Sequence, residues 1–199
     1  MAKPKTIPVI KHGTKPALII IDVQVELFRK SIPVYQSEQL LEALAGLVER
    51  AHAVGIPVIF VQHASDAYMP FGSDGWQLQP SLKPAETDKR IYKTHPNAFE
   101  GTELDEVLEE ARVGTLVVAG LVTHGCVKAT TLDALERGYQ VILVSDGHSS
   151  YSVQAAELIE KWNGQLSAAG AELTVARAID FSKLNSSIEN AKRELRSAG

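Results

Sequence analysis

A chain of 199 residues, 45% hydrophobic and 22% charged with a formal charge of −4, is long enough to bury a substantial core and is expected to form a single domain over residues 1–199. The mild acidity speaks against nucleic acid as a partner, because both signs of charge are scattered along the sequence. No apolar run approaches the roughly twenty residues of a membrane span, so no membrane partner is expected. A single cysteine makes no internal disulfide and fits a reducing, cytoplasmic setting, and residues 1–13 mix lysine and proline without the apolar stretch of a secretory leader.

Residues 17–21 (ALIII) read as a fully apolar strand between the breaker Pro16 and Asp22. Residues 37–54 place Leu40, Leu41, Leu44, Leu47, Val48 and Ala51 on one helical face, and Gly55 ends the helix. Residues 56–61 (IPVIFV) form the second predicted strand. Residues 62–89 then lose all periodicity and hold Pro70, Gly72, Gly75, Pro80 and Pro84 among Tyr68, Phe71 and Trp76. An irregular stretch of this length in a compact domain is usually functional, and its aromatics predict a loop that covers a substrate.

Residues 90–92 form a short third strand, with Lys93 just beyond it. Thr102 is the predicted N-cap of a helix over 103–111. The fourth strand, 115–119, leads through the turn Leu121-Val122-Thr123-His124-Gly125 into a helix over 126–137 that opens on Cys126 and stops at Gly138. A fifth strand over 140–144 ends before Ser145-Asp146-Gly147-His148, expected as a subunit contact or outer wall. A helix over 152–169 and a strand over 172–175 follow. Phe181, Leu184, Ile188, Ala191 and Leu195 mark a last amphipathic helix. Six strands alternating with helices, the central ones apolar on both faces, predict an α/β fold. Its three layers, α/β/α, enclose a six-stranded, mainly parallel sheet of Rossmann-like kind with right-handed crossovers.

In such sheets ligands bind at the carboxyl ends of the strands. Asp22, Lys93 and Cys126 each stand at or near such an end, on the first, third and fourth strands. Singly, each has an ordinary structural reading: a turn-capping aspartate, a solvated lysine, a buried small hydrophobe. Together they supply a nucleophile, a cation beside it and a carboxylate that takes and returns a proton. The helix that opens on Cys126 and the Lys93 ammonium are both expected to lower the thiol pKa.

Three segments carry a family resemblance: ALIIIDVQVELF (17–28), YKTHPNAFEGTELDEVL (92–108) and VVAGLVTHGCVKATTLDALERGYQVILVSDGHSS (117–150). The last holds a Gly-x-x-Thr-x-x-Cys-Val pattern, then Thr130, Asp133-Ala134 and Gly138. From about Lys15 to Phe181 the chain resembles the isochorismatase-like cysteine hydrolases. That resemblance implies a catalytic triad of Asp22, Lys93 and Cys126. It implies a non-proline cis peptide between Val122 and Thr123. It also implies an oxyanion site built from the turn of Val122, Thr123, Gly125 and Cys126, where preorganised backbone donors act. The implied reaction is hydrolysis of a C–N, amide-type bond of a small molecule through a thioester. The implied assembly is a homo-oligomer, dimer or tetramer, in which a neighbour's loop completes the site.

Phe28, His63, Tyr68, Phe71, Trp76, His95 and His124 are the candidate substrate-binding residues; for the histidines a structural role is an equal alternative. Nicotinamidases of this family add a metal site of Asp-x-His plus a later histidine. The corresponding stretch here, Val61-Gln62-His63-Ala64-Ser65, lacks that set, so no metal is expected. No nucleotide-binding glycine pattern occurs, so no cofactor is expected either. Two other readings compete. One is vinyl ether hydrolysis of the isochorismatase type, which does not need the cysteine. The other is a non-catalytic binding or redox-sensing protein in which Cys126 oxidises to a sulfenic acid.

Overall fold

In the computed structural model, residues 13–186 are described. Six strands form one sheet: β1 (Lys15–Ile21), β2 (Val58–His63), β3 (Lys89–Lys93), β4 (Val113–Leu121), β5 (Gln140–Ser149) and β6 (Glu172–Thr174). Their order is β3-β2-β1-β4-β5-β6, and every neighbouring pair is parallel. The helices are α1 (Ser37–Ala53), α2 (Leu104–Glu110), α3 (Lys128–Arg137) and α4 (Ala155–Ala169).

The apolar runs divide their residues between two faces because strand side chains alternate. Leu18 and Ile20 join Phe60, Val117 and the α1 residues Leu44, Leu47 and Val48 in one core. Ile19 and Ile21 join Ile59, Val61, Val118, Leu104 and Leu108 of α2, Ala134 of α3 and Leu166 of α4 in the other. All nine residues of β4 are buried, as expected of a strand covered on both faces. Among the described residues no helix is long and apolar enough to cross a membrane.

The chain runs outward from β1 to β3, then returns to β4 on the opposite side of β1. This reversal sets the carboxyl ends of β1 and β4 side by side, the usual ligand position in open α/β sheets. Gly120 lets the two strands close there. Its φ is +124°, and a Cβ on it would lie 2.1 Å from the Ile21 carbonyl oxygen.

Several boundaries differ from the sequence expectation. β5 runs to Ser149 rather than ending at Val144, because His148 and Ser149 resume pairing with Gly120 and Leu121 after a register break. Turn-forming residues there conceal a strand with an irregularity inside it. Cys126 does not open a regular helix: it lies in a single wide turn, Thr123–Val127, and α3 begins at Lys128. The N-cap of α2 is Glu103 rather than Thr102; Thr102 stands one residue earlier, its hydroxyl accepting the Leu104 amide at 3.2 Å.

The 62–89 segment is a packed part of the domain. Met69, Trp76, Leu78 and Leu82 are buried in it, Gln24 bridges to Leu78 and Ser65 to Met69, and a short 3-10 turn spans Pro80–Leu82. Residues 181–186 are helical, with Phe181 buried in the α1-side core. Ile188, Ala191 and Leu195 lie outside the described residues.

Candidate active site

Asp22 follows β1 directly and is 2% exposed. Its φ is +52°, a left-handed conformation that aspartate tolerates better than most residues and that concentrates at functional sites. Its amide donates to the Val61 carbonyl at 2.9 Å, so the turn is tied to the next strand. Lys93 is the last residue of β3, and its side chain reaches back past β2 toward β1. Its ammonium donates to Asp22 Oδ2 at 2.8 Å, to Cys126 Sγ at 3.3 Å and to His63 Nδ1 at 3.3 Å. The lysine side chain is fully buried. Asp22 Oδ1 is also buried and has no hydrogen-bond partner.

The thiol does not behave as the sequence suggested. Burial pushes its pKa up to about 12, with the Asp22 charge adding to the rise and the Lys93 charge opposing it. Loss of water and a neighbouring carboxylate outweigh one ammonium, and the sulfur stands in a turn ahead of α3 rather than at its first residue. Near neutral pH Cys126 is therefore a neutral thiol.

The turn before the sulfur also differs. The cis peptide lies between Leu121 and Val122, one bond earlier than the expected Val122–Thr123 position. β4 continues to Leu121, so the chain changes direction at the bond that ends the strand. Gly125, expected among the oxyanion groups, has its amide engaged by the Val122 carbonyl at 3.0 Å. What Gly125 contributes is a non-helical bend at φ −114°, ψ −107°. Thr123 is fully buried; its hydroxyl pairs with His148 Nδ1 at 2.9 Å and donates to the Ser149 carbonyl at 3.1 Å.

Of the candidate binding residues, His63 comes closest, against Lys93. Tyr68 stacks on His63 with centroids 6.4 Å apart. Burial raises the Tyr68 pKa, with Tyr151, Asp22 and Cys126 adding to the rise. Phe28 is half-buried against the α1-side core. His95 and His124 are exposed and pair with Thr94 and Ser150, each at 3.3 Å. Phe71 is 63% exposed and packs on Trp76 and Tyr92. Trp76 is 5% exposed, too buried to offer a stacking face. It anchors the 62–89 segment instead, through a carbonyl that accepts Gln24 Nε2 at 2.8 Å and Gln62 Nε2 at 3.0 Å.

The sequence reading passed over several residues that hold this geometry. Gln24 is fully buried and grips the His63 backbone on both sides: Oε1 accepts its amide at 2.9 Å and Nε2 donates to its carbonyl at 3.0 Å. A glutamine within the apolar stretch after Asp22 was the available signal. Tyr151, half-buried against the α1-side core, has its pKa raised by burial, then by Cys126 and Asp22. Thr130 and Asp133 clamp the segment after Lys93 to α3. The Thr130 hydroxyl accepts the Ala98 amide at 3.0 Å, and Asp133 accepts Asn97 Nδ2 at 2.8 Å. His148 also lines a groove of about 580 Å³ beside α1 and α4 that includes none of Asp22, Lys93 and Cys126. Among the described residues no group of three His, Cys, Asp or Glu side chains is placed to hold a metal ion.

A parallel α/β sheet that gathers a buried carboxylate, an ammonium and a thiol at its switch point defines the class of this protein. Comparison with known proteins then places it: the isochorismatase-domain profile matches residues 16–174, and the chain belongs to the isochorismatase family. It is 32% identical over 165 residues to a streptothricin hydrolase of Streptomyces noursei, covering 75% of this chain and 66% of the relative. A second streptothricin hydrolase is matched over 51% of its length, so the chain spans between half and two thirds of these relatives. The maleamate amidohydrolase of Pseudomonas putida is 29% identical over 159 residues, covering 69% of this chain and 73% of the relative. Among solved structures, an isochorismatase from Pseudomonas putida superposes with a TM-score of 0.78 at 27% identity, covering 84% of this chain and 91% of that one.

Proposed function

We propose that this chain is a cysteine-dependent hydrolase that cleaves a C–N, amide-type bond of a small molecule through a thioester. The carrying observation is the Lys93 ammonium within hydrogen-bond distance of both Asp22 Oδ2 and Cys126 Sγ, beside a buried Asp22 Oδ1 that has no partner. Relatives that include an amidohydrolase support the same reading.

The neutral thiol sets the order of events. As Cys126 Sγ attacks the carbonyl carbon, its proton passes to Asp22, and Lys93 stabilises the charge gathering on sulfur. The carbonyl oxygen becomes an oxyanion against backbone amides of the Thr123–Val127 turn. The family resemblance assigns the amides of Thr123 and Cys126 as its donors; the Gly125 amide is engaged by the Val122 carbonyl. A preformed donor of this kind is worth on the order of 10²–10³ in rate. Asp22 returns the proton to the departing amine or ammonia as the C–N bond breaks. Water then attacks the thioester with Asp22 as base, releasing the acid and restoring the thiol. Tyr68, Tyr151 and His63 give the cleft flat walls with polar edges, suited to a compact, partly planar acyl group.

The test is an ammonia-release screen over maleamate, other primary amides and simple ureas, run beside Cys126→Ala. Turnover by the native protein, none by the variant, and an acyl adduct on Cys126 by mass spectrometry are expected. Undiminished ammonia release by Cys126→Ala would overturn the proposal, since the C–N bond would then break without the thiol.

A further inference from the structure

We propose that His63 is a positioning residue: a neutral ring, protonated on Nε2, whose Nδ1 is the third acceptor holding the Lys93 ammonium between Asp22 and Cys126. The role rests on the reading of Lys93 and Cys126 given above, and it makes the arrangement dependent on the protonation of His63.

Counting hydrogens fixes the tautomer. An ammonium carries three and has no lone pair. The Lys93 side chain is fully buried, so each N–H needs a protein acceptor or is left unsatisfied without water, which is costlier still for a charged group. Its three acceptors are Asp22 Oδ2 at 2.8 Å, Cys126 Sγ at 3.3 Å and His63 Nδ1 at 3.3 Å. Because the ammonium only donates, Nδ1 must present its lone pair, and the ring hydrogen belongs on Nε2. The ring also meets the backbone of His95 in a contact that favours its charged form, as a carbonyl accepting from a ring N–H does.

The fold holds the ring in place. His63 is the last residue of β2, in register with Lys93 on β3. Gln24 fixes its amide and carbonyl, and Tyr68 stacks over the ring. The charged and titratable groups around it are Lys93 on β3, Asp22 beyond β1, His95 beyond β3, Tyr68 in the following loop, and Cys126 across Lys93. Burial and then the Lys93 charge depress the His63 pKa below 6.5, against Asp22 and the His95 backbone. Once protonated, His63 would set a second donor and a second positive charge 3.3 Å from the ammonium, and one of the two must leave.

Two measurements need no substrate. Long-range ¹H–¹⁵N spectra of the imidazoles, with His63 assigned by its loss in His63→Asn, are expected to show the Nε2-protonated tautomer at about pH 7.5 and a midpoint below 6.5. In Lys93→Gln that midpoint should rise, because a like charge is gone while Asp22 remains. Cys126 is the only cysteine, so alkylation by iodoacetamide reads this sulfur alone. Its pH–rate profile should show an inflection at the His63 midpoint in the native protein and none in His63→Asn, which keeps an acceptor that does not titrate. His63→Leu, lacking the acceptor, should alter the rate at about pH 7.5 several-fold, and the asparagine variant should restore it.

An Nδ1-protonated His63, or a native profile without that inflection, would overturn the proposal. Both are read on the native protein and hold even if the leucine variant fails to fold. Absence of an acyl adduct on Cys126 would sink the hydrolase reading and leave the tautomer and the inflection where they are.

Discussion

Replacing Asp22 with asparagine should make the Cys126 thiol more reactive while abolishing its use in catalysis. The thiol rises from an ordinary 9.0 to about 12, so at about pH 7.5 the thiolate is about a thousandfold scarcer than on an exposed cysteine. A more basic thiolate is also more nucleophilic, with a Brønsted slope of about 0.4–0.5, which returns roughly a factor of 20. Iodoacetamide should therefore alkylate the native protein about 50-fold more slowly than a free thiol, with a rate that keeps climbing above about pH 9. The Asp22→Asn change would remove the carboxylate charge and leave Lys93 unopposed. Taking a neighbouring charge as worth about two pKa units, the same arithmetic gives a roughly tenfold faster alkylation at about pH 7.5. Amide turnover should fall by about 10²–10⁴ because the proton carrier is lost. Alkylation of the native protein that levels off below about pH 8, or an Asp22→Asn variant slower than native, would refute the reasoning, since either would mean a thiolate already formed.

Three further outcomes follow from the geometry. Burial holds the His148 pKa below 6.5 and lowers that of His63, so just below pH 6.5 the unfolded chain binds more protons than the folded one. Stability should be full above 6.5 and lost as pH falls through the folded-state values. A thermal melt series from about pH 7.5 to 5 should show that loss, shallower in His148→Gln; a flat series would contradict it. Gly120→Ala would place a methyl 2.1 Å from the Ile21 carbonyl oxygen at a φ of +124°, and should destabilise by at least about 2 kcal/mol in denaturant titration; a neutral effect would refute the close approach of β4 to β1. Gln24→Ala would strip partners from the His63 backbone and the Trp76 carbonyl, costing about 2–4 kcal/mol and raising proteolysis within residues 62–89; unchanged cleavage there would argue against the anchor.

The reading of the sequence succeeded where local pattern and tertiary role coincide. Strand runs such as ALIII and TLVVAG are apolar on both faces because both faces are covered, so six parallel strands were legible without knowledge of their order. Asp22, Lys93 and Cys126 were legible because each stands at or a few residues past the carboxyl end of a strand, and those ends share one edge of a parallel sheet. Local pattern misled where turn-forming residues lie inside a strand, as at Ser145-Asp146-Gly147 in β5, and where an aromatic residue in an irregular segment proved to be an anchor, as with Trp76.

Alternation of apolar runs and breakers in the linear chain thus determined the layers, the sheet and the edge on which the three polar groups sit. Only the folded molecule decided how those groups act on one another. The protonation of Cys126, the three acceptors around Lys93, the buried grip of Gln24 on His63 and the bond at which the chain turns before the sulfur all depend on distances of a few ångströms between segments tens of residues apart. Desolvation and charge–charge energies change steeply over such distances, and residue order alone does not encode them.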